Sequence, residues 1–408
     1  MKNFTRSACT ASLSSLALLS AFALGACSGG GGGSASGEIH VQAYNQGLPA
    51  LVYQFDVDAS QNLTLGIYSF VAGVLSTTPT ATVTGTCQAA DPTSGIVACG
   101  VTTSTDAAYG IVGGSIEILE TPGMTLSIRT SPWPGPAVLP DFSSATTLVE
   151  MNRTTTCGAL EGDFVYLHTS DSSVGLYRIS ASAATLSQLD FNLFDSGSAF
   201  LSSYDGADGD GVDTLTSYKC IAGLNVFVAN SGGVASDQVV DETPSGMFVD
   251  KDGRYMLNAA NLATTADLSG KTFRGVQRTS LGHRVPVTFT FGAAAGGSVP
   301  VTAFSSSAPA DLDFGFSEMS VLPVAETPGT LFTGDTSATN PLRVTYPTAA
   351  SLPGLMYAHF ADSSGNDEPA LLEAWTMPSG KLGLIVLNTI RGSGTTLSGE
   401  TITTAVEQ

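Results

Sequence analysis

The residues able to do chemistry are few and scattered. The 408-residue chain has four histidines, and two of them stand two positions after a tyrosine, as Tyr166 with His168 and Tyr357 with His359. A strand puts residues two apart on one face. Each pair therefore reads as a paired site, with Asp171 or Asp362 nearby. The equivalent pairs elsewhere are Tyr53 with Phe55 and Phe273 with Gly275. That makes the histidine position a packing position that tolerates an aromatic ring. Two histidines without a third fixed ligand do not make a zinc site. His40 and His283 have no recurring neighbours. Gly-x-Ser-x-Gly, Ser-x-x-Lys and His-Glu-x-x-His do not occur. Paired carboxylates of the glycosidase kind are spaced in three dimensions and leave no sequence signature. Acidic pairs such as Asp311 and Asp313 read as strand-edge solubility.

The densest acidic stretch runs Asp205-Gly-Ala-Asp-Gly-Asp-Gly-Val-Asp213. It is similar to the Asp-x-Asp-x-Asp-Gly loops of calcium-binding proteins. That likeness implies Asp205, Asp208, Asp210 and Asp213 as oxygen ligands for Ca²⁺. The register departs from the pattern. With Asp208 and Asp210 at the third and fifth positions, Gly206 falls at the first and Thr214 at the ninth, with no Glu at the twelfth. The expectation is a solvated loop with weak calcium binding or none, and no other cofactor. Trp133 lies between prolines and Tyr204 opens the acidic loop, so both are candidates for contact with a partner. Trp375 sits in an apolar strand and reads as core.

The start of the chain carries an address. Lys2 and Arg6 are the only charges before Glu38, and an apolar run follows from Leu13 to Leu24. A positive start, a short apolar core and small residues describe an export signal. Leu24-Gly25-Ala26-Cys27 resembles the lipobox of bacterial lipoproteins. The resemblance implies cleavage of residues 1–26 and acylation of Cys27; Gly25 stands where Ala, Ser or Thr is commoner. Ser28 to Gly37 is wholly Gly, Ser and Ala, which makes residues 27–37 a lipidated tether. Ser28 rather than Asp after the cysteine implies the outer membrane, on its periplasmic face or at the cell surface. The chain ends without the terminal aromatic of outer-membrane barrel strands, so it reads as anchored to the membrane and not spanning it.

Four cysteines remain after processing: Cys87, Cys99, Cys157 and Cys220. An even number in an oxidising compartment suggests two disulfides, and four cysteines allow three pairings. Cys87 and Cys99 flank a stretch rich in turn residues, so the favoured pairs are Cys87–Cys99 and Cys157–Cys220.

The elements that must position these groups are strands. There are 46 Gly and 19 Pro, which helices tolerate poorly. Val285-Pro-Val-Thr-Phe-Thr-Phe291 alternates as a half-buried strand should. The fold class read from this pattern is all-β, with antiparallel barrel or sandwich units. The chain also repeats itself. Leu48-Pro-Ala-Leu-Val-Tyr53, Leu160-Glu-Gly-Asp-Phe-Val165, Leu268-Ser-Gly-Lys-Thr-Phe273 and Leu352-Pro-Gly-Leu-Met-Tyr357 share one template. That opening resembles the first strand of lipocalin-like barrels. Glu120-Thr-Pro-Gly123, Glu242-Thr-Pro-Ser-Gly246 and Glu326-Thr-Pro-Gly329 share another. Leu268 to Leu352 and Glu242 to Glu326 are both 84 residues apart. The reading is four related units starting near 48, 160, 268 and 352, in two domains, 38–265 and 266–408.

Charge narrows the function. Formal charge is −20, with 15 basic against 35 acidic residues, and losing Lys2 and Arg6 takes it to −22. Nothing here would neutralise nucleic-acid phosphates. With 43% hydrophobic and 12% charged residues, the chain is not an acidic disordered one. The expected function is a non-enzymatic, membrane-anchored envelope lipoprotein, a β scaffold for binding a protein or glycan or for structure. The alternative is a carboxylate-dependent hydrolase of envelope polysaccharide or another polymer.

Overall fold

Alternation decides where each strand's side chains go. In Ala81–Cys87, Ala81, Val83 and Cys87 are buried while Thr86 is exposed. Runs of this kind form antiparallel hairpins, and in this chain the hairpins close into rings. The computed structural model describes residues 39–45, 51–71, 74–91, 95–131, 146–151, 161–168, 173–180, 185–192, 213–221, 224–231, 234–250, 254–278, 284–295, 299–306, 318–323, 354–361, 367–391 and 397–408. The export signal, Cys27 and the tether lie outside these residues.

The first ring contains β1 (Ile39–Asn45), β2 (Leu51–Val57) and β3 (Asn62–Val71). After the short β4 (Val74–Leu75) come β5 (Ala81–Cys87), β6 (Val97–Ser104), β7 (Ser115–Thr121), β8 (Thr125–Ser131) and β9 (Thr146–Met151). Each pairs antiparallel with the next, β3 passes directly to β5, and β9 returns to β1. β4 pairs only with the end of β3 and stands outside the ring.

The second ring starts with β10 (Glu161–His168), β11 (Ser173–Ser180), β12 (Thr185–Asn192) and β13 (Asp213–Ile221). It ends with β14 (Leu224–Ser231), β15 (Val234–Glu242), β16 (Phe248–Asp250) and β17 (Arg254–Asn258). The third starts with β18 (Thr272–Arg278), β19 (Arg284–Phe291), β20 (Val299–Ser306) and β21 (Glu318–Pro323). It ends with β22 (Met356–Ala361), β23 (Asp367–Thr376), β24 (Leu382–Arg391) and β25 (Leu397–Glu407). Pairing of β10 with β17 and of β18 with β25 closes them. All three are up-and-down rings of eight strands, the number whose bore side chains just fill.

The described side chains of the bores pack against one another. Phe55, Leu65, Val83, Ile116 and Leu126 pack the first interior, and Phe273, Phe289, Phe291, Leu372 and Leu384 the third. In the second, Phe164 meets Phe248 edge to face at 5.3 Å, and Tyr166 lies 4.7 Å from Tyr177. One closure is very tight. A Cβ on Gly275 would sit 1.9 Å from the Thr404 carbonyl oxygen, so only glycine lets β18 and β25 meet there.

The openings at Leu160 and Leu268 precede the first strands of the second and third barrels. Those at Leu48 and Leu352 precede the second strand of the first barrel and the fifth of the third. The domain limit read near 265 falls in the link from β17 to β18, where Ala259–Asn261 forms a 3-10 turn and Thr265–Leu268 a single helical turn. Asn258 caps the former through Ala260 N–H at 2.9 Å, and Asp267 caps the latter by accepting Thr264 N–H at 2.8 Å.

Candidate functional site at the three-barrel junction

The sixth and seventh strands of each barrel are joined by a proline- and glycine-containing turn. In the first barrel this is Thr121-Pro-Gly-Met124, in the second Thr243-Pro-Ser-Gly-Met247, in the third Met377-Pro-Ser-Gly-Lys381. Proline presets its own φ, and Gly123, Gly246 and Gly380 take φ of 77°, 78° and 81°. Met124 N–H donates to Thr121 O at 3.0 Å, Gly246 N–H to Thr243 O at 2.9 Å, and Gly380 N–H to Met377 O at 2.9 Å.

These turns meet. Glu150 Oε2 accepts Gly123 N–H at 2.9 Å. Gly123 O accepts Ser245 N–H at 3.0 Å, and Ser245 O accepts the Trp375 indole N–H at 2.9 Å. One hydrogen-bond chain thus runs through all three barrels. A Cβ on Gly123 would come within 3.2 Å of Ser245 N, so the glycine also allows the close approach. Around the chain lies an apolar cluster drawn from every barrel: Tyr44 and Met124, Met247 and Leu257, Trp375 and Ile385. The outer faces here are therefore buried as fully as the bores.

Buried outer faces carry polar groups that must find partners. Glu117 pairs with Arg129 on the neighbouring strand. Thr404 Oγ1 donates to Thr121 Oγ1 at 3.1 Å, linking β25 to β7. Arg284 Nε donates to Thr147 Oγ1 at 2.7 Å, linking β19 to β9. Burial, and then the neighbouring Arg278, bring the Arg284 guanidinium down to about 10.

Three carboxyls stand out. Glu373 is 0% exposed, and neither of its oxygens has a hydrogen-bond partner among the described residues; burial pushes it up to about 8. Glu120 is raised to about 7 by burial. Glu150, 3% exposed, is raised well above the carboxylate range, first by burial and then by Glu120. Its Oε1 has no hydrogen-bond partner among the described residues. Perturbed carboxyls of this kind can serve as general acids. Here Glu150 holds the turn at Gly123 from beneath, inside a packed barrel end.

The bond between Cys87 and Cys99 is present, across directly paired positions of β5 and β6 with Cα atoms 3.8 Å apart. Cys157 lies outside the described residues, and Cys220 lies on β13. Tyr166 is a buried bore residue with the Arg254 guanidinium 5.9 Å above its ring. His168 follows it on β10, and Tyr357 and His359 lie on β22. Trp133, Tyr204, Asp171, Asp205, Asp208, Asp210, Asp311, Asp313 and Asp362 lie outside the described residues; Asp213 opens β13. Trp375 is core, 1% exposed. Among the described residues, no three His, Cys, Asp or Glu side chains gather as metal ligands. No helix among them is long and apolar enough to cross a membrane.

Sequence reasoning passed over Glu120, Glu150 and Glu373. The signal was a single acid inside an apolar run, as in Leu371-Leu372-Glu373-Ala374-Trp375 and Leu148-Val149-Glu150-Met151.

No protein-family model matches the chain. No curated protein matches it either. Among solved structures it is similar to transferrin binding protein B of Haemophilus parasuis, a vaccine antigen in double-mutant form, at 9% identity and a TM-score of 0.24. It is also similar to isotype 1 transferrin binding protein B of serogroup B Neisseria meningitidis, at 8% identity and a TM-score of 0.21. Each match covers 88% of this chain and 66% of the solved one, so the chain spans just under two thirds of those structures. Likeness at this level carries no functional argument.

Proposed function

We propose that this chain is a non-enzymatic envelope lipoprotein, anchored to the outer membrane through Cys27, that captures a protein or glycan partner at its barrel rims. The observation that supports the reading is the filling of the barrels combined with their fusion at one set of turns. A filled bore offers no ligand cavity, and a shared junction makes a rigid support for loops. Consecutive connections of an up-and-down ring alternate between its two rims. The connection from β8 to β9, residues 132–145, therefore joins strand ends on the rim opposite the Thr121–Met124 turn. By the same count, the connection from β12 to β13, residues 193–212, joins strand ends opposite the Thr243–Met247 turn. Those two connections hold Trp133, Tyr204 and most of the acidic stretch. A strongly acidic surface suits a protein or glycan better than an anion.

The test is affinity capture from envelope extract with the full anchored protein. Deleting residues 132–140 or 202–212 should abolish capture and leave the melting midpoint unchanged. Capture that survives both deletions overturns the assignment to these loops. Cys27→Ala should release soluble protein or leave the signal uncut; a variant that stays with membranes at the processed mass overturns the anchor.

The raised Glu120 and Glu150 carboxyls favour a second reading, carboxylate-dependent hydrolysis of an envelope polymer. Turnover of peptidoglycan, ester or glycoside substrates that is lost in Glu150→Gln would establish it in place of the first.

A further inference from the structure

Glu373 has no structural task of an ordinary kind. Its neighbours along β23 on the same face are Leu371 and Trp375, and its cross-strand partner on β24 is Ile385. On the other side, β22 begins one residue after Leu355, which is buried in the same cluster. This face looks away from the bore, since Leu372 and Ala374 are the residues that line the interior. The carboxyl therefore lies where the third barrel is covered by the other two. It is 0% exposed, and neither oxygen has a hydrogen-bond partner among the described residues. Protonated, it is a tolerable polar group in an apolar wall. Ionised, it is a bare charge in that wall, which proteins avoid.

We propose that the junction of the three barrels is a pH-operated latch, docked while Glu373 holds its proton and loosened when Glu373 ionises.

Other titratable groups of the junction stand on every element packed there. The first barrel contributes Tyr44 on β1, Glu120 and Glu150 beneath the Thr121–Met124 turn, and the Glu117–Arg129 pair on β7 and β8. The second contributes Tyr255 on β17, and the third Arg278 and Arg284 beside that tyrosine. Burial is the sole cause of the rise at Glu373. The direction of the effect follows from linkage. The docked state holds the proton up to about 8, whereas an exposed glutamate releases it near 4.5. Docking is therefore tightest below about 4.5 and weakens as pH rises. The loss is about tenfold per pH unit until the docked carboxyl itself ionises, and levels off above that. Across the whole interval, about 3.5 pH units, the docking constant falls about 3,000-fold. The indole of Trp375, two residues from the carboxyl, donates to the second barrel, so loosening exposes it.

Trp133 and Trp375 are the chain's two tryptophans, so Trp133→Phe leaves Trp375 as the reporter. In the full chain carrying that substitution, Trp375 emission should shift to the red as pH rises between 5 and 9, with most of the change below about 8. Adding Glu373→Gln should flatten the profile. Glu373→Leu fills a similar volume without a polar atom and should flatten it as well, which serves if the amide variant fails to fold. Glu120, raised to about 7, and its raised neighbour Glu150 are a second source of pH dependence, so Glu150→Gln is measured in parallel. A profile flattened by Glu150→Gln and untouched at position 373 overturns the proposal. So does Trp375 emission that stays constant over the whole range.

Discussion

An acid inside an apolar strand either finds a partner or keeps its proton, and this chain holds examples of both. Glu117 is 3% exposed and has Arg129 beside it. Glu150 is equally buried and has no such partner beside it: burial first, and then the neighbouring Glu120 carboxyl, raise it well above the carboxylate range. Its folded-state affinity for the proton exceeds that of an exposed glutamate. The stability it contributes is therefore full below about 4.5 and is lost as pH rises through its own raised value. Glu150→Gln keeps an oxygen for Gly123 N–H and removes the ionisation. Its melting midpoint should match the parent at pH 5 and exceed it at pH 8; equal midpoints at pH 8 would count against a neutral Glu150. Trp375 makes a different point. Trp375→Phe preserves the side-chain volume in part but removes the indole N–H that the buried Ser245 carbonyl accepts. The expected loss is about 1–3 kcal/mol, read as a lower urea midpoint at unchanged slope.

At the scale of elements, closure of each ring rests on a few local solutions. Gly275 is where β18 and β25 come closest. Gly275→Ala should cost about 3 kcal/mol, the upper end of overpacking, because the obstacle is the Thr404 backbone oxygen and not a movable side chain. A thermal midpoint within a degree of the parent would contradict this close approach. The β5–β6 hairpin is tied by Cys87–Cys99, 12 residues apart. Opening that loop by Cys87→Ser with Cys99→Ser should lower stability by about 2–4 kcal/mol, and non-reducing peptide mapping should find the linked peptides in the parent. This hairpin was legible beforehand, because two cysteines flanking a turn-rich stretch leave little room for another pairing. The partnership of Cys157 with Cys220 has no such local constraint and rests on the same mapping.

The described residues form three barrels sharing one apolar junction. Eight strands make a bore that side chains fill, so each barrel leaves its outer face as the surface by which it can join another. Met247 is 0% exposed at the centre of that join. Met247→Ala should cost about 2–5 kcal/mol. The loss should be visible as faster amide exchange in the Thr121–Met124 and Met377–Lys381 turns of the neighbouring barrels. Faster exchange confined to the second barrel would mean that the barrels are not energetically joined through this residue.

The sequence by itself determined the all-β class, with antiparallel barrel or sandwich units, and the disulfide-bonded hairpin. These follow from period-two alternation and from turn residues, which are local and need no knowledge of what lies across the fold. It also marked the Glu-Thr-Pro turns as landmarks, and two of them, at Glu120 and Glu242, prove to occupy the same place in successive barrels. Only the tertiary structure decided that those turns touch and that the third partner is Met377–Lys381, a stretch whose spacing matches neither repeat. It also decided that Glu373 and Glu150 are buried. Alternation says which side of a strand a residue faces. Whether that side meets water or another barrel depends on contacts between residues hundreds of positions apart, such as Thr121 with Thr404. A carboxyl on an outward face reads as solvated until a second barrel covers it.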